Sequence, residues 1–204
     1  CGRMARVVSQ LIDQVGAKRD DVVRAGIATP GPMDIAAGMI LRPGNVPGWW
    51  DFPIRDRFHF HLGIPVAFAN DANAAAYGEF WRGAGAQYDS LVLLTLGTGI
   101  GGGIIVGDTL VEGAHSCGGE CGHILVNPAQ DAWQDSLGKS GSLEAYACAG
   151  AVIRRTVESL GASEASSLAR RYRAGEAITP RMVAEEADRG TRPRPREAMS
   201  ARFS

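Results

Sequence analysis

Residues 91–108 read LVLLTLGTGIGGGIIVGD, and this stretch decides the fold class. Leu91 to Leu96 is an apolar run of strand length that ends at turn residues. It enters Gly97-Thr98-Gly99-Ile100-Gly101-Gly102-Gly103, a turn with five glycines and one threonine, after which Ile104 to Val106 resumes as strand. Gly107-Asp108 then reverses the chain into Thr109 to Val111 as a hairpin. A turn of this composition lets backbone N–H groups face an anion without side-chain obstruction, and Thr98 adds a hydroxyl. It is not the dinucleotide fingerprint, because it leads into a strand and not a helix. Taken alone, the pattern serves equally as a phosphate cradle or as a tightly twisted hairpin.

Working outward, short apolar strands alternate with helical patterns, which is the signature of an α/β fold. Met4, Val7, Val8, Leu11, Ile12 and Val15 mark one face of a helix that Gly16 ends. Val22 to Ala28 is a strand, and it stops at Thr29-Pro30-Gly31-Pro32, a loop by composition. A second loop spans RPGNVPGWWDF, residues 42–52. Ile64 to Ala69 is a strand followed by a helix over Ala72 to Trp81, which either Asn70 or Asp71 could cap. Downstream, Gly113 to Gly122 is loop, Ile124 to Val126 strand, and Pro128 to Gly141 irregular. Leu143 to Leu160 reads as one long helix, Ser163 to Arg173 as another, and Thr179-Pro180 starts a third that reaches Asp188. From Arg189 the chain turns to Arg and Pro with few apolar residues, so 189–204 is expected to be a disordered tail behind an ordered region 1–188.

Composition narrows the function classes. Lys plus Arg number 21 against 22 Asp plus Glu, a formal charge of −1, which offers no general attraction for nucleic acid. No apolar run approaches the ~20 residues of a membrane span, and no signal peptide is visible, so the simplest location is cytoplasmic. Four cysteines do not make a disulfide scaffold in a chain of 204 residues. Glycine is the outlier at 27 residues, about 13% against a usual ~7%. The excess lies between Gly97 and Gly122 among β-branched residues, where it signals close backbone approach and not a linker.

Three further groups carry candidate chemistry. Asp71, at a strand-to-helix junction, lies near the positive helix end and would suit a general base toward a substrate hydroxyl. On spacing alone, capping is the better reading of Asn70-Asp71. Glu120-Cys121-Gly122-His123, with Glu144 at a helix start, supplies two carboxylates and an imidazole suited to several sugar hydroxyls. The plainer alternatives are a first-turn charge for Glu144 and a backbone-bonded histidine at a strand edge for His123. His115, Cys117, Cys121 and His123 fit none of the usual structural zinc spacings, so no metal is expected from these four. His59 and His61 read as ordinary surface or edge residues.

The ordered set PGP (30–32), PGN (43–45), NDANAA (70–75), GTGIGGG (97–103), ExGH (120–123) and GxxGxLExYA (138–147) closely resembles the ROK family of sugar kinases and repressors, and most of all its bacterial glucokinases. The match covers roughly Val22 to Arg155. The resemblance implies the actin-like ATPase (ribonuclease H-like) fold, two lobes with a central cleft, incomplete in this chain. It implies phosphorylation of a hexose, normally glucose at its 6-hydroxyl, with ATP and Mg²⁺. Asp71 then corresponds to the catalytic base, and Asn70, Glu120, His123, Glu144 and Asn45 to sugar contacts. Gly97, Thr98, Gly99, Gly101 and Gly102 correspond to the second phosphate motif. Members are commonly dimers or tetramers.

Three departures accompany the resemblance. The chain opens on Cys1 within a helical pattern, without the family's first phosphate hairpin, and is expected to have lost its true N-terminus. The glycine motif that closes over adenosine is also absent. Many members hold a structural zinc through the ExGH histidine and a C-x-C-G-x-x-G-C motif, whose cysteine positions here read Asp135, Leu137 and Ser142. That set is expected to have lost the zinc. The alternatives to a glucokinase are a sugar-sensing transcriptional repressor, a kinase for fructose, mannose or an N-acetylated amino sugar, and an inactive fragment.

Overall fold

A helix opens the chain: α1, Gly2–Gln14, buries Ala5 and packs Met4 and Val8 on the core, while Val7, Leu11 and Val15 of the same apolar set stay exposed. It ends in a Schellman arrangement, with Gly16 at φ +67° and the N–H groups of Gly16 and Ala17 on the carbonyls of Asp13 and Ile12. The computed structural model describes residues 1–43, 48–160 and 167–190. The chain divides into two units, Cys1–Thr95 with Gly101–Gly122, and Leu96–Ile100 with His123–Ser204.

In the first unit, β1 (Ala25–Thr29) leads through the 30–32 loop to a two-residue hairpin, β2 (Met33–Asp34) and β3 (Met39–Ile40). Helix α2 (Ile54–Leu62) follows, with Ile54, Phe58 and Leu62 buried one turn apart and Gly63 closing it in the left-handed region. Neither the hairpin, whose strands have two residues each, nor α2 was legible in the sequence; within α2, Phe58-His59-Phe60-His61 alternates like a strand edge. His59 lies on α2, where its Nδ1 is 2.7 Å from the Ile64 carbonyl. Strand β4 (Val66–Asn70) pairs in parallel with β1, from Ala25 opposite Val66 to Thr29 opposite Asn70. Ile27, Phe68, Met33, Ile40 and the buried face of α2 form one core.

Helix α3 (Asp71–Arg82) starts where β4 stops. A three-stranded sheet follows in the order β5 (Leu91–Leu96), β6 (Ile100–Val106), β7 (Thr109–Leu110). The glycine turn is shorter than expected, because β6 begins at Ile100 and absorbs Gly101, Gly102 and Gly103. These three glycines make the sheet fit its neighbours. A Cβ on Gly101 would lie 2.7 Å from Thr95 Oγ1, one on Gly102 2.6 Å from the Gly119 carbonyl, and one on Gly103 2.4 Å from Ala76 Cβ of α3.

The second unit corrects two expectations. Ile124 to Val126 is not a strand: only Leu125 bridges, to Ser142, and all three side chains are exposed. The helix expected over Leu143 to Leu160 is broken into α4 (Leu143–Ala147) and α5 (Ala149–Leu160), with Cys148 extended between them. The break has a visible cause. The Ala149 N–H bonds the Gly97 carbonyl at 2.8 Å, and the Ala145 carbonyl it would have used accepts from Arg154 Nη2 at 2.8 Å. Helices α6 (Ser167–Arg173) and α7 (Pro180–Gly190) complete the unit, and Leu160, Leu168, Ala169, Ile178 and Met182 form its core. The start at Thr179-Pro180 is as read, but α7 runs to Gly190, past Asp188, and residues 191–204 of the expected tail lie outside those described.

The 133–142 loop is organised by one side chain. Asp135, fully buried at its side chain, accepts from the N–H groups of Leu137 and Lys139 through Oδ1, and from the Ser142 hydroxyl through Oδ2 at 2.8 Å. Burial opposes its ionisation, but the Ser142 hydroxyl, the Lys139 N–H, the His123 ring and the Leu137 N–H outweigh it and lower its pKa from 3.8 to about 2.

Two measurements follow from this packing. Gly103→Ala should destabilise the protein by about 1–3 kcal/mol through overpacking. Gly78→Ala, at a helical glycine with nothing within 4 Å, should stabilise it by about 0.5–1 kcal/mol, both read from denaturant midpoints. Because the Asp135 pKa is depressed on folding, its contribution is complete above pH 3.8 and lost as pH falls toward 2. The stability gap between wild type and Asp135→Asn should therefore shrink across that window in acid titrations followed by circular dichroism.

Candidate functional site

The candidate residues divide between the two units. Asn70, Asp71, Glu120, Gly101 and Gly102 belong to the first, and Gly97, Thr98, Gly99, His123 and Glu144 to the second. Asn45 lies outside the described residues.

In the first unit, the parallel pairing brings Thr29 and Asn70 side by side at the carboxyl ends of β1 and β4, the usual ligand-binding edge of an α/β sheet. Asn70 is the cap of α3: its Oδ1 accepts the Ala72 N–H at 2.9 Å and the Asn73 N–H at 3.2 Å. With that duty filled, Asp71 stands exposed in the first helical turn, where one carboxylate oxygen also accepts the Ala72 N–H at 2.9 Å. The Asn70 amide nitrogen and Glu120 converge on Gly31. A Cβ on that glycine would lie 3.8 Å from Glu120 Oε1 and 3.9 Å from Asn70 Nδ2. Gly31 is a candidate the sequence did not single out, although its loop did stand out between two prolines. Gly101 and Gly102 lie inside β6, where packing alone accounts for the missing side chains.

In the second unit, the glycine turn reduces to Gly97-Thr98-Gly99. The Gly97 N–H bonds the Gly99 carbonyl at 2.9 Å, and Thr98 is exposed at the tip. Glu144 is buried in the first turn of α4 and reaches back to this turn. Its Oε2 accepts the Ile100 N–H at 2.9 Å and its Oε1 the Ser136 hydroxyl at 2.6 Å. A Cβ on Gly99 would lie 2.5 Å from Glu144 Oε2, so the carboxylate can hold this place only against a residue without a side chain. The sequence pointed to Glu144 but gave no sign of its tie to Ile100, which lies 44 positions away.

His123 ends a short 3-10 turn, Cys121–His123, and its Nδ1 lies 3.1 Å from Asp135 Oδ2. The residues at the family's zinc positions do not fit a zinc ion. Leu137 is apolar and 77% exposed, and the Ser142 hydroxyl donates into Asp135, leaving one carboxylate and one imidazole as donors. Among the described residues, no three His, Cys, Asp or Glu side chains are arranged to hold a metal ion, and no helix is long and apolar enough to cross a membrane.

The chain as a whole is similar to known proteins. A profile of the ROK family matches residues 3–191. A glucokinase of Halalkalibacterium halodurans is 37% identical over 170 residues, which is 83% of this chain and 51% of that protein. The structure of a ROK family glucokinase from Streptomyces griseus in complex with glucose and AMPPNP matches with a TM-score of 0.72 at 31% identity, over 91% of this chain and 55% of that one. A ROK family transcriptional regulator, a homologue of the E. coli MLC protein, matches with a TM-score of 0.75 at 26% identity, over 92% and 46%. The chain spans about half the length of the curated glucokinase it matches. Its fold is that of the ROK sugar kinases, the actin-like ATPase fold. With the profile covering nearly every residue, this chain belongs to the ROK family.

Proposed function

We propose that the protein phosphorylates glucose at its 6-hydroxyl with ATP, as a glucokinase, and that Asp71 is the general base. One observation carries this reading. Asn70 already caps α3, so the Asp71 carboxylate, exposed beside the carboxyl ends of β1 and β4, is not needed to hold the helix. The identity to a curated glucokinase and the likeness to a structure with glucose and AMPPNP support the substrate pair.

In the proposed reaction, the Asp71 carboxylate accepts the proton of the 6-hydroxyl as that oxygen attacks the γ-phosphorus. The bond from phosphorus to the β,γ-bridging oxygen breaks, and ADP departs. Such a transfer needs positioning and charge stabilisation more than covalent work by the protein. Mg²⁺, when bound, neutralises charge on the phosphate oxygens. Thr98 at the tip of the 97–99 turn is the phosphate contact, while Gly101 and Gly102 shape β6. Asn70, Glu120, His123 and Glu144 orient the sugar, with Asn45 from its loop, and Gly31 leaves room for a hydroxyl beside Glu120. Glu144 has a second task, since it holds the Ile100 N–H and so fixes the end of the turn that carries Thr98. Residues 1–188 then constitute the part of the kinase domain that this chain carries.

A sugar-sensing regulator is the second reading, favoured by the match to the regulator structure. Turnover separates the two. ADP release with ATP, Mg²⁺ and a panel of hexoses should be strong with glucose. Asp71→Asn should lower turnover by about 10²–10⁴-fold, the usual contribution of a general base, with glucose affinity changed only a few-fold. Sugar binding without ADP release in the wild type would favour the regulator. Gly99→Ala should displace Glu144 and the turn together, lowering kcat/KM for ATP by up to about a hundredfold.

A further inference from the structure

One carboxyl group joins two loops of the second unit, and the residues bonded to it all belong to that unit. The Ile100 N–H, at the end of the 97–99 turn, is on Glu144 Oε2 at 2.9 Å. The Ser136 hydroxyl, from the 133–142 loop, is on Oε1 at 2.6 Å. The two oxygens face different ways. A Cβ on Gly99 would lie 2.5 Å from Oε2 but 3.7 Å from Oε1, so Oε2 lies against the glycine turn and Oε1 toward the loop. Ser136 is well placed for its bond because its own backbone is held. The Gly138 N–H bonds the Asp135 carbonyl at 3.0 Å and the Asp135 N–H bonds the Lys139 carbonyl at 3.0 Å, which makes Ser136 the second residue of a closed turn. From within this turn the Asp135 side chain also accepts the Leu137 and Lys139 N–H groups.

We propose that Ser136 is a positioning residue: by holding Oε1 it sets the carboxyl plane of Glu144, and through Oε2 it holds Ile100 and with it the 97–99 turn. A carboxyl group is planar and rigid, so fixing one oxygen fixes the other, whereas the last side-chain torsion of a glutamate is otherwise broad. A ligand hydroxyl that bonds Oε1 does the same work as the Ser136 hydroxyl. A ligand at Glu144 and an anion at the turn thus favour one arrangement of one side chain, and each lowers the ordering cost that the other meets. That these ligands are glucose and ATP rests on the function proposed above; the hold of Ser136 on the turn does not.

Two variants test this. Ser136→Ala removes the hydroxyl from an exposed turn position that accepts most residues, and Ser136→Thr keeps a hydroxyl there. The first readout needs no ligand: exchange of the Ile100 amide proton, followed by NMR in the intact protein. We expect it about fivefold faster in Ser136→Ala and near the wild-type rate in Ser136→Thr, the loss of roughly one hydrogen bond. The second readout is calorimetric binding of AMPPNP with Mg²⁺, with and without saturating glucose. In Ser136→Ala we expect the Kd for AMPPNP about fivefold above wild type without glucose, and within about twofold of it with glucose. Ser136→Thr should follow the wild type in both. Unchanged Ile100 exchange in Ser136→Ala, an unchanged Kd without glucose, or a loss that glucose leaves undiminished overturns the proposal. A wild-type protein that binds neither AMPPNP nor glucose counts against the function proposed above, and Ile100 exchange then upholds or overturns the hold of Ser136 by itself.

Discussion

The structure of the first unit depends on a close approach that admits no side chain. Helix α3 and strand β6 meet where Gly101 and Gly103 face Ala72 and Ala76, and the neighbouring Gly102 faces the Gly119 carbonyl. Cβ atoms at those three positions would come within 2.4–2.7 Å of their neighbours. Close packing of this kind leaves α3 a single seat, because interiors resolve overlap by displacement and not by compression. The amino end of α3 carries Asn70 and Asp71, so the glycines that look like a ligand loop act first as the surface that positions those two residues.

Strands β1, β4, β5, β6 and β7, the α3 helix and the Thr179-Pro180 start were legible because they rest on local signals, namely apolar runs, an Asn-Asp junction and a Pro at the first helical position. The errors share a different cause. Helix 143–160 broke because the Gly97 carbonyl, some fifty positions upstream, takes the Ala149 N–H. Residues 124–126 have strand composition but only one bridging partner. Helix α2 hid behind the alternation of Phe58-His59-Phe60-His61, although Ile54, Phe58 and Leu62 carry its buried face. Motif order supplied what periodicity could not, since it singled out Asp71, Glu120, His123 and Glu144 together. Spacing alone could not say that Asn70 and not Asp71 would cap the helix, nor that Glu144 would be tied to Ile100.

Two carboxylates in the second unit illustrate how one chemical group serves different ends. Glu144 is buried and bonded to the Ile100 N–H and the Ser136 hydroxyl, which joins α4 to the glycine turn. Asp135 is buried and bonded to a hydroxyl, two backbone N–H groups and an imidazole, which holds a loop around a single negative charge. Burial of a polar group is costly unless hydrogen bonds replace its water, and both side chains meet that condition with short-range, directed bonds. The residues at 135 and 142 thus bond to each other, and the same Asp135 carboxylate lies 3.1 Å from the His123 ring.

Asp71 can act as the base only if the reacting hydroxyl lies against it. A crystal structure of the intact protein with glucose and a non-hydrolysable ATP analogue measures this directly. The expected result is the glucose 6-hydroxyl within hydrogen-bond reach of the Asp71 carboxylate, about 2.6–3.2 Å. A sugar bound with that hydroxyl directed away from Asp71, and the carboxylate engaged only with the Ala72 N–H, would contradict it.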